Sequence, residues 1–213
     1  MVRLVVDPER PHPRQIRRIV EVLQGGGVIA YPTDTVYGLG CDMMQKRAVE
    51  KVYSIKGKDK KRSLSFICEN LKDIASFAVV GDNAYRLMRR ILPGPYTIIL
   101  NASRRVPKVM LNQMATVGIR IPDHPVPLAI VAELGNPLVT SSIPTPPQLA
   151  YNDPDELEKR FSGALDGIID SGIIYPEPST IIDMTQDVPR LIRQGKGCIE
   201  SIPDLVLIED EDD

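Results

Sequence analysis

Residues 25–42, "GGGVIAYPTDTVYGLGCD", constrain the fold more than any other stretch of the chain. The apolar run Val28-Ile29-Ala30-Tyr31 is short, opens on three glycines and reads as a buried strand. Pro32 stops it, because proline has no N–H to give a sheet ladder. The chain then turns polar and small, through Thr33, Asp34, Thr35, Tyr37, Gly38 and Gly40. Many hydrogen-bonding groups with little bulk therefore gather just past a strand end.

The flanking segments alternate between two periods. Ile16, Ile19, Val20 and Leu23 recur on one helical face, behind Pro11 and Pro13 and ahead of Gly25. Ala48, Val52 and Ile55 mark a second helix that runs into the basic stretch from Lys56, and Leu64 to Ile67 reads as a strand. Asp82 is placed to cap a third helix through Ala84, Leu87, Met88 and Ile91. Strands follow at Thr97 to Leu100 and at Val117, Ile119 and Ile121, which alternate with Gly118 and Arg120. Leu128 to Leu134 predicts a helix, and Pro137 to Thr140 a strand. Asp153-Pro154-Asp155-Glu156 opens another helix, with strands at 167–170, 180–184 and 190–193. The pattern predicts one α/β domain over residues 1–206, a twisted, mostly mixed or parallel open sheet flanked by helices. Residues 207–213 read as an acidic tail.

Composition narrows the function classes. The chain has 213 residues, 43% hydrophobic and 25% charged, enough for one substantial core. No apolar run approaches the roughly 18 residues that span a bilayer, and "MVRL" does not open a signal peptide, so a cytoplasmic location is expected. Cys41, Cys68 and Cys198 are scattered, and His12 and His124 have no second ligand nearby in sequence, which argues against disulfide and transition-metal chemistry. The net charge of −2 gives no global pull toward nucleic acid.

Three polar loops are expected at strand ends: Pro32 to Gly40, Thr140-Ser141-Ser142 and Pro178-Ser179-Thr180. Hydroxyls and backbone N–H groups there suit carboxylate or phosphate oxygens. Ordinary turn chemistry explains any one of them; three together point to a site. Arg120 shares a strand face with Gly118, which leaves room for a carboxylate beside the guanidinium. The competing reading is an internal salt bridge to an acidic residue. Lys56 to Arg62 is basic, fitting either a polyphosphate or a solvated loop, and Arg193 could clamp another anion. No phosphate-loop, dinucleotide or nucleophile-elbow motif occurs, so any chemistry rests on positioning and charge.

The opening run resembles the P-T-[ED]-T-V-Y-G-L signature of the YrdC/YciO family, whose best-known members are threonylcarbamoyl-AMP synthases. "LPGPYTIIL", "VGIRIPDHP", "STIIDMT" and "RLIRQG" continue the resemblance in the family's order, and the short start and "TSS" look most like the YciO branch. The resemblance implies a YrdC/RibB-like domain that joins L-threonine, bicarbonate and ATP, with Mg2+ arriving on ATP, into threonylcarbamoyl-adenylate for tRNA modification. It implies that Thr33, Thr35, Arg120, Ser142 and Ser179 hold threonine, with Arg120 on its carboxylate. Lys56, Lys58, Arg62 and Arg193 would meet the phosphates. Two motifs depart from the synthases: Lys56-Gly57-Lys58 replaces Lys-x-Arg, and Ser142-Ile143-Pro144 replaces Ser-Ala-Asn, removing an amide donor. Binding of tRNA or double-stranded RNA without catalysis is the alternative. The synthase reading requires that the Thr33, Ser142 and Ser179 tips converge and that Arg120 is free of an internal acid.

Overall fold

The computed structural model describes residues 1–57, 64–111, 114–145 and 152–207. The first part of the chain forms β1 (Val2–Val5), α1 (Pro13–Gln24), β2 (Ile29–Tyr31), β3 (Gly38–Asp42), α2 (Lys46–Lys56) and β4 (Ser65–Ile67). Next come α3 (Leu71–Phe77), β5 (Ala78–Val79), α4 (Asp82–Ile91), β6 (Tyr96–Ala102), β7 (Thr116–Arg120) and α5 (Pro125–Leu134). The last part contributes β8 (Leu138–Ser142), α6 (Pro154–Arg160), β9 (Gly167–Asp170), β10 (Thr180–Asp183), β11 (Arg190–Arg193) and β12 (Val206–Leu207). Leu207, at the start of the expected tail, closes β12; residues 208–213 lie outside the described residues.

All these strands join one sheet in the order β1-β9-β2-β3-β8-β4-β7-β6-β10-β11-β12, with β5 on β6. Parallel pairs such as β4–β7 and antiparallel pairs such as β6–β7 both occur, so the sheet is mixed, open and flanked by helices as the pattern predicts. One face carries the larger core, where Leu39, Phe66, Ile98 and Ile119 meet Val49 and Val52 of α2 and Leu87 and Met88 of α4. On the other face Ile29, Ile67, Leu138 and Ile169 pack against α1 and α5.

Local chemistry sets the helix ends. His12 and His124 each accept a backbone N–H at an N-cap, from Arg14 and Val126, with proline in the first turn of α1 and α5. That cap starts α5 at Pro125, three residues before the apolar run suggests. Asp153 caps α6 as expected. For α4 the cap is Gly81, and Asp82 lies in the first turn, where its charge complements the dipole.

The strand β3 corrects the sequence reading of Pro32 to Gly40 as a loop throughout. A Cβ at Gly38 or Gly40 would stand 2.8 Å from the Tyr31 ring, so these glycines make room for an aromatic crossing the sheet. Likewise Thr140, Ser141 and Ser142 belong to β8 itself rather than to a loop after it.

Candidate functional site

Register fixes how the polar residues lie. One rung across the sheet reads Asp42, Leu138, Ile67, Arg120, and the next same-face rung reads Gly40, Thr140, Ser65, Gly118. Ser142 stands beside Gly38, one same-face rung further. The face is apolar at Leu138 and Ile67 and polar or small at Thr140, Ser142, Ser65, Gly118 and Arg120. A Cβ on Gly118 would collide with Ser65 Oγ and stand 3.2 Å from Thr97 Cγ2, which puts Ser65, Thr97 and Gly118 on the face that Arg120 shares.

The segment between β2 and β3 folds over this face to reach β7. Thr33 Oγ1 accepts the N–H groups of Thr35 and Val36 and donates to the Val36 carbonyl at 2.6 Å, which builds a hydroxyl turn. Thr35 Oγ1 lies 3.0 Å from Thr33 Oγ1 and accepts from Arg120 Nη2 at 3.0 Å. The same Nη2 donates to Asp34 Oδ1 at 2.8 Å, and Asp34 Oδ2 accepts the Asp123 N–H at 3.1 Å. Both side chains of the pair are 8% exposed. The internal salt bridge is therefore what the structure gives Arg120, and the requirement that it be free of an internal acid is not met. Arg120 Nε is buried and has no hydrogen-bond partner among the described residues.

A second cluster lies at the same end of the sheet. Ser179 Oγ is 2.9 Å from Thr97 Oγ1, and Arg193 Nη2 donates to the Ser179 carbonyl at 2.8 Å. Lys196 joins the two clusters, donating from Nζ to the Asp34 carbonyl at 2.6 Å. Gly195 has to be bare, since a Cβ there would run into the Pro178 carbonyl.

Of the sequence-predicted residues, Thr33, Thr35 and Arg120 form one bonded network and Ser179 and Arg193 a second, with Lys196 between them through its N–H on the Pro178 carbonyl at 2.9 Å and its Nζ on the Asp34 carbonyl. Ser142 is not brought to them, so the convergence of Thr33, Ser142 and Ser179 that the synthase reading requires is not met either. Ser142 is exposed, four residues along the strand direction from the level of Arg120, roughly 13 Å. Arg193 sits at the Arg120 end, on Ser179, not beside Ser142. Lys56 is half-buried at the end of α2, and the chain re-enters the sheet at Ser65, toward the Ser142 side. Lys58 and Arg62 lie outside the described residues.

Sequence reasoning missed Asp34, Tyr31, Thr97 and Lys196. Tyr31 lies across Gly38 and Gly40, its hydroxyl bonded to Thr140 Oγ1, and burial pushes its phenol well above the usual range. Burial raises the Cys41 and Cys68 thiols to about 12, so neither is a nucleophile near neutral pH. Among the described residues no group of three from His, Cys, Asp and Glu could hold a metal ion, and no helix is long and apolar enough to cross a membrane.

Comparison with known proteins matches this architecture to a class. Residues 21–195 fit the Sua5/YciO/YrdC family model, described as "Telomere recombination", and the chain belongs to that family. It is 34% identical over 197 residues to the uncharacterised protein YciO of Escherichia coli, covering 92% of this chain and 96% of that one. The E. coli YciO crystal structure superposes with a TM-score of 0.87, covering 94% of this chain and 99% of that one, at 33% identity. A putative threonylcarbamoyl-AMP synthase of Methanocaldococcus jannaschii is 34% identical over 185 residues, 84% of this chain and 86% of that one. The P. abyssi Sua5 structure complexed with L-threonine gives a TM-score of 0.88 at 27% identity, covering 98% of this chain and 63% of that one.

Proposed function

We propose that the chain forms a carbamoyl-adenylate from a small amino acid, with L-threonine the first candidate, bicarbonate and ATP. The single pocket of the sequence reading, a free Arg120 ringed by Thr33, Ser142 and Ser179, does not stand, and the proposal rests instead on the polar face from Ser142 to Arg120, in a fold shared with a protein solved on L-threonine. Its length, roughly 13 Å, suits an amino acid joined through a carbamate to an adenylate. In this reading the amino acid lies at the Arg120 end, against Thr33, Thr35, Thr97 and Ser179. ATP lies toward Ser142 and brings its own Mg2+, with Lys56 at the end of α2 a proposed phosphate contact.

The neutral amine adds to carbon dioxide with loss of a proton, or to bicarbonate with loss of water; the resulting carbamate oxygen attacks the α-phosphorus, and the bond to pyrophosphate breaks as it leaves. No protein nucleophile is required; the residues hold the reactants together and balance charge. Arg120 keeps Asp34 on Nη2 and offers the substrate carboxylate its remaining N–H groups, among them the unpartnered Nε. Such an orphaned buried donor costs about 1–3 kcal/mol until an acceptor reaches it. Ser142 contributes to the nucleotide side rather than to the threonine pocket, and Arg193 holds the Ser179 segment in place. Lys58 and Arg62 remain proposed phosphate contacts, for the charge they carry.

Pyrophosphate release from ATP, measured with and without threonine and bicarbonate, tests the proposal. Release that requires both is expected. A folded sample that binds ATP yet shows no dependence on threonine discards the amino-acid assignment. Steeply salt-dependent retention of tRNA or double-stranded RNA without pyrophosphate release would favour the RNA-binding alternative.

A further inference from the structure

We infer that the acidic C-terminal segment of one copy of the chain docks in a methionine-lined groove of a second copy. The groove lies on the face of the sheet opposite Arg120, between the start of α2 and the 3-10 turn at Lys108–Met110.

The groove encloses about 640 Å³, and Met43, Met44, Pro107 and Val109 supply its apolar lining. Met44 is 68% exposed. Methionine is unbranched and polarizable, so such a lining adapts to an apolar segment laid against it. Lys46 and Lys108 stand in the same lining with one acid, Glu50, whose carboxylate is 3.8 Å from Lys46 Nζ. Two cations against one carboxylate leave a net positive charge. The Lys46–Glu50 contact is exposed and weakly held, so it does not withdraw Lys46 from a stronger anion.

The far edge of the sheet exposes the complement. β12 ends the strand order, so its outer edge is unpaired among the described residues. Val206 and Leu207 are 46% and 60% exposed, and a partner commonly covers such an apolar edge. Ile208 follows, and then five consecutive acids, Glu209 to Asp213. An apolar anchor followed by carboxylates matches an apolar groove flanked by lysines.

Distance decides whose groove is filled. α2 packs on β3, and β12 is seven strands from β3 in the sheet, roughly 34 Å at the usual strand spacing. Residues 208–213 reach about 20 Å from Leu207 even when fully extended. The acids of one chain therefore fall short of its own groove and meet that of another copy. A second cavity, of about 490 Å³ beside α4, lies nearer, but there Asp187 and Asp204 offset Arg86 and Arg90, so it offers the acids no net attraction.

The test uses a full-length receptor whose tail acids are replaced by amides (Glu209→Gln, Asp210→Asn, Glu211→Gln, Asp212→Asn and Asp213→Asn). A fluorescein-labelled peptide of residues 205–213 is titrated against it by anisotropy. Saturable binding that weakens as salt rises is expected. Adding Lys46→Glu and Lys108→Glu to the receptor is expected to weaken binding about tenfold or more, whereas Arg86→Glu with Arg90→Glu leaves it unchanged. Glutamate at position 46 falls in the first turn of α2, where it complements the dipole, and circular dichroism and melting confirm each fold. Sedimentation of the wild-type chain at rising concentration is expected to show self-association that the amide tail removes. Absence of saturable binding overturns the inference, and so does equal binding by the Lys46/Lys108 variant. Loss of binding in the Arg86/Arg90 variant instead would place the tail beside α4 and overturn it as well. A wild-type chain that stays monomeric while the free peptide binds overturns the second copy as occupant, leaving the groove to a different acidic partner.

Discussion

Ile67 and Arg120 are register partners on adjacent strands, with side chains on the same face of the sheet, yet their surroundings are opposite. Ile67 lies with Val126, Ile130 and Leu138 beneath α5. Arg120 lies beneath an irregular segment and meets Thr35 and Asp34. A helix satisfies its own backbone and presents only side chains, so the strands below it turn apolar. An irregular segment brings hydroxyls, carboxylates and unpaired backbone groups, so the strands below it need polar partners. The polar cluster at Arg120 forms where the helical cover over Ile67 gives way to the segment that carries Asp34 and Thr35.

The largest expected effect breaks the polar side of this comparison. Arg120→Met leaves Asp34 buried without its counter-charge and is expected to cost about 3–5 kcal/mol in urea unfolding. Adding Asp34→Asn to it recovers part of that loss if the pair is the cause. Ile67→Ala, one strand away, is expected to cost about 2–5 kcal/mol by leaving a cavity, while threonine affinity per folded molecule holds. A fall in affinity there as large as in Arg120→Met would erase the distinction between the two regions. Thr140→Val strands the Tyr31 hydroxyl and is expected to cost about 1–3 kcal/mol, readable as a lower melting temperature.

The smallest expected effect is a pH dependence at the border of the two regions. Burial lowers the His124 pKa from the usual 6.5, against the opposing pull of Asp34, Glu9 and Asp123. The folded chain therefore binds this proton less readily than the unfolded chain. The cap's contribution is complete above pH 6.5 and is lost as pH falls through the lower folded-state value. Denaturation midpoints are expected to decline on acidification below pH 6.5, and less steeply in His124→Asn, which keeps an N-cap acceptor. Parallel slopes for both proteins would remove His124 as the cause.

Much of the fold was readable from periodicity, because long amphipathic segments such as α1 and α4 and the alternation in β7 carry their own signal. The short or glycine-bearing elements were not. β3 hides because Gly38 and Gly40 look like turn residues until the Tyr31 ring is known to cross them. β1 hides because its partner β9 lies far along the chain, and α3 because seven residues give too little pattern. For the site, alternation put Arg120 on the polar face, but could not tell which acid meets it across 86 residues. Asp34 stood in the open between two residues that were singled out. Strand order also decided that Ser142 and Arg120 occupy opposite ends of the polar face, and no local pattern encodes that order.

The insertion of β9 between β1 and β2 bears on how the molecule is made. Gly167 pairs with Val2 on one side and Ile29 on the other, so β1 has no strand partner and β2 has only β3 until the last quarter of the chain is synthesised. A nascent chain halted before that point carries strand edges open to any passing partner. Arrival of β9, rather than collapse of the N-terminal half, is the event that closes this edge of the sheet.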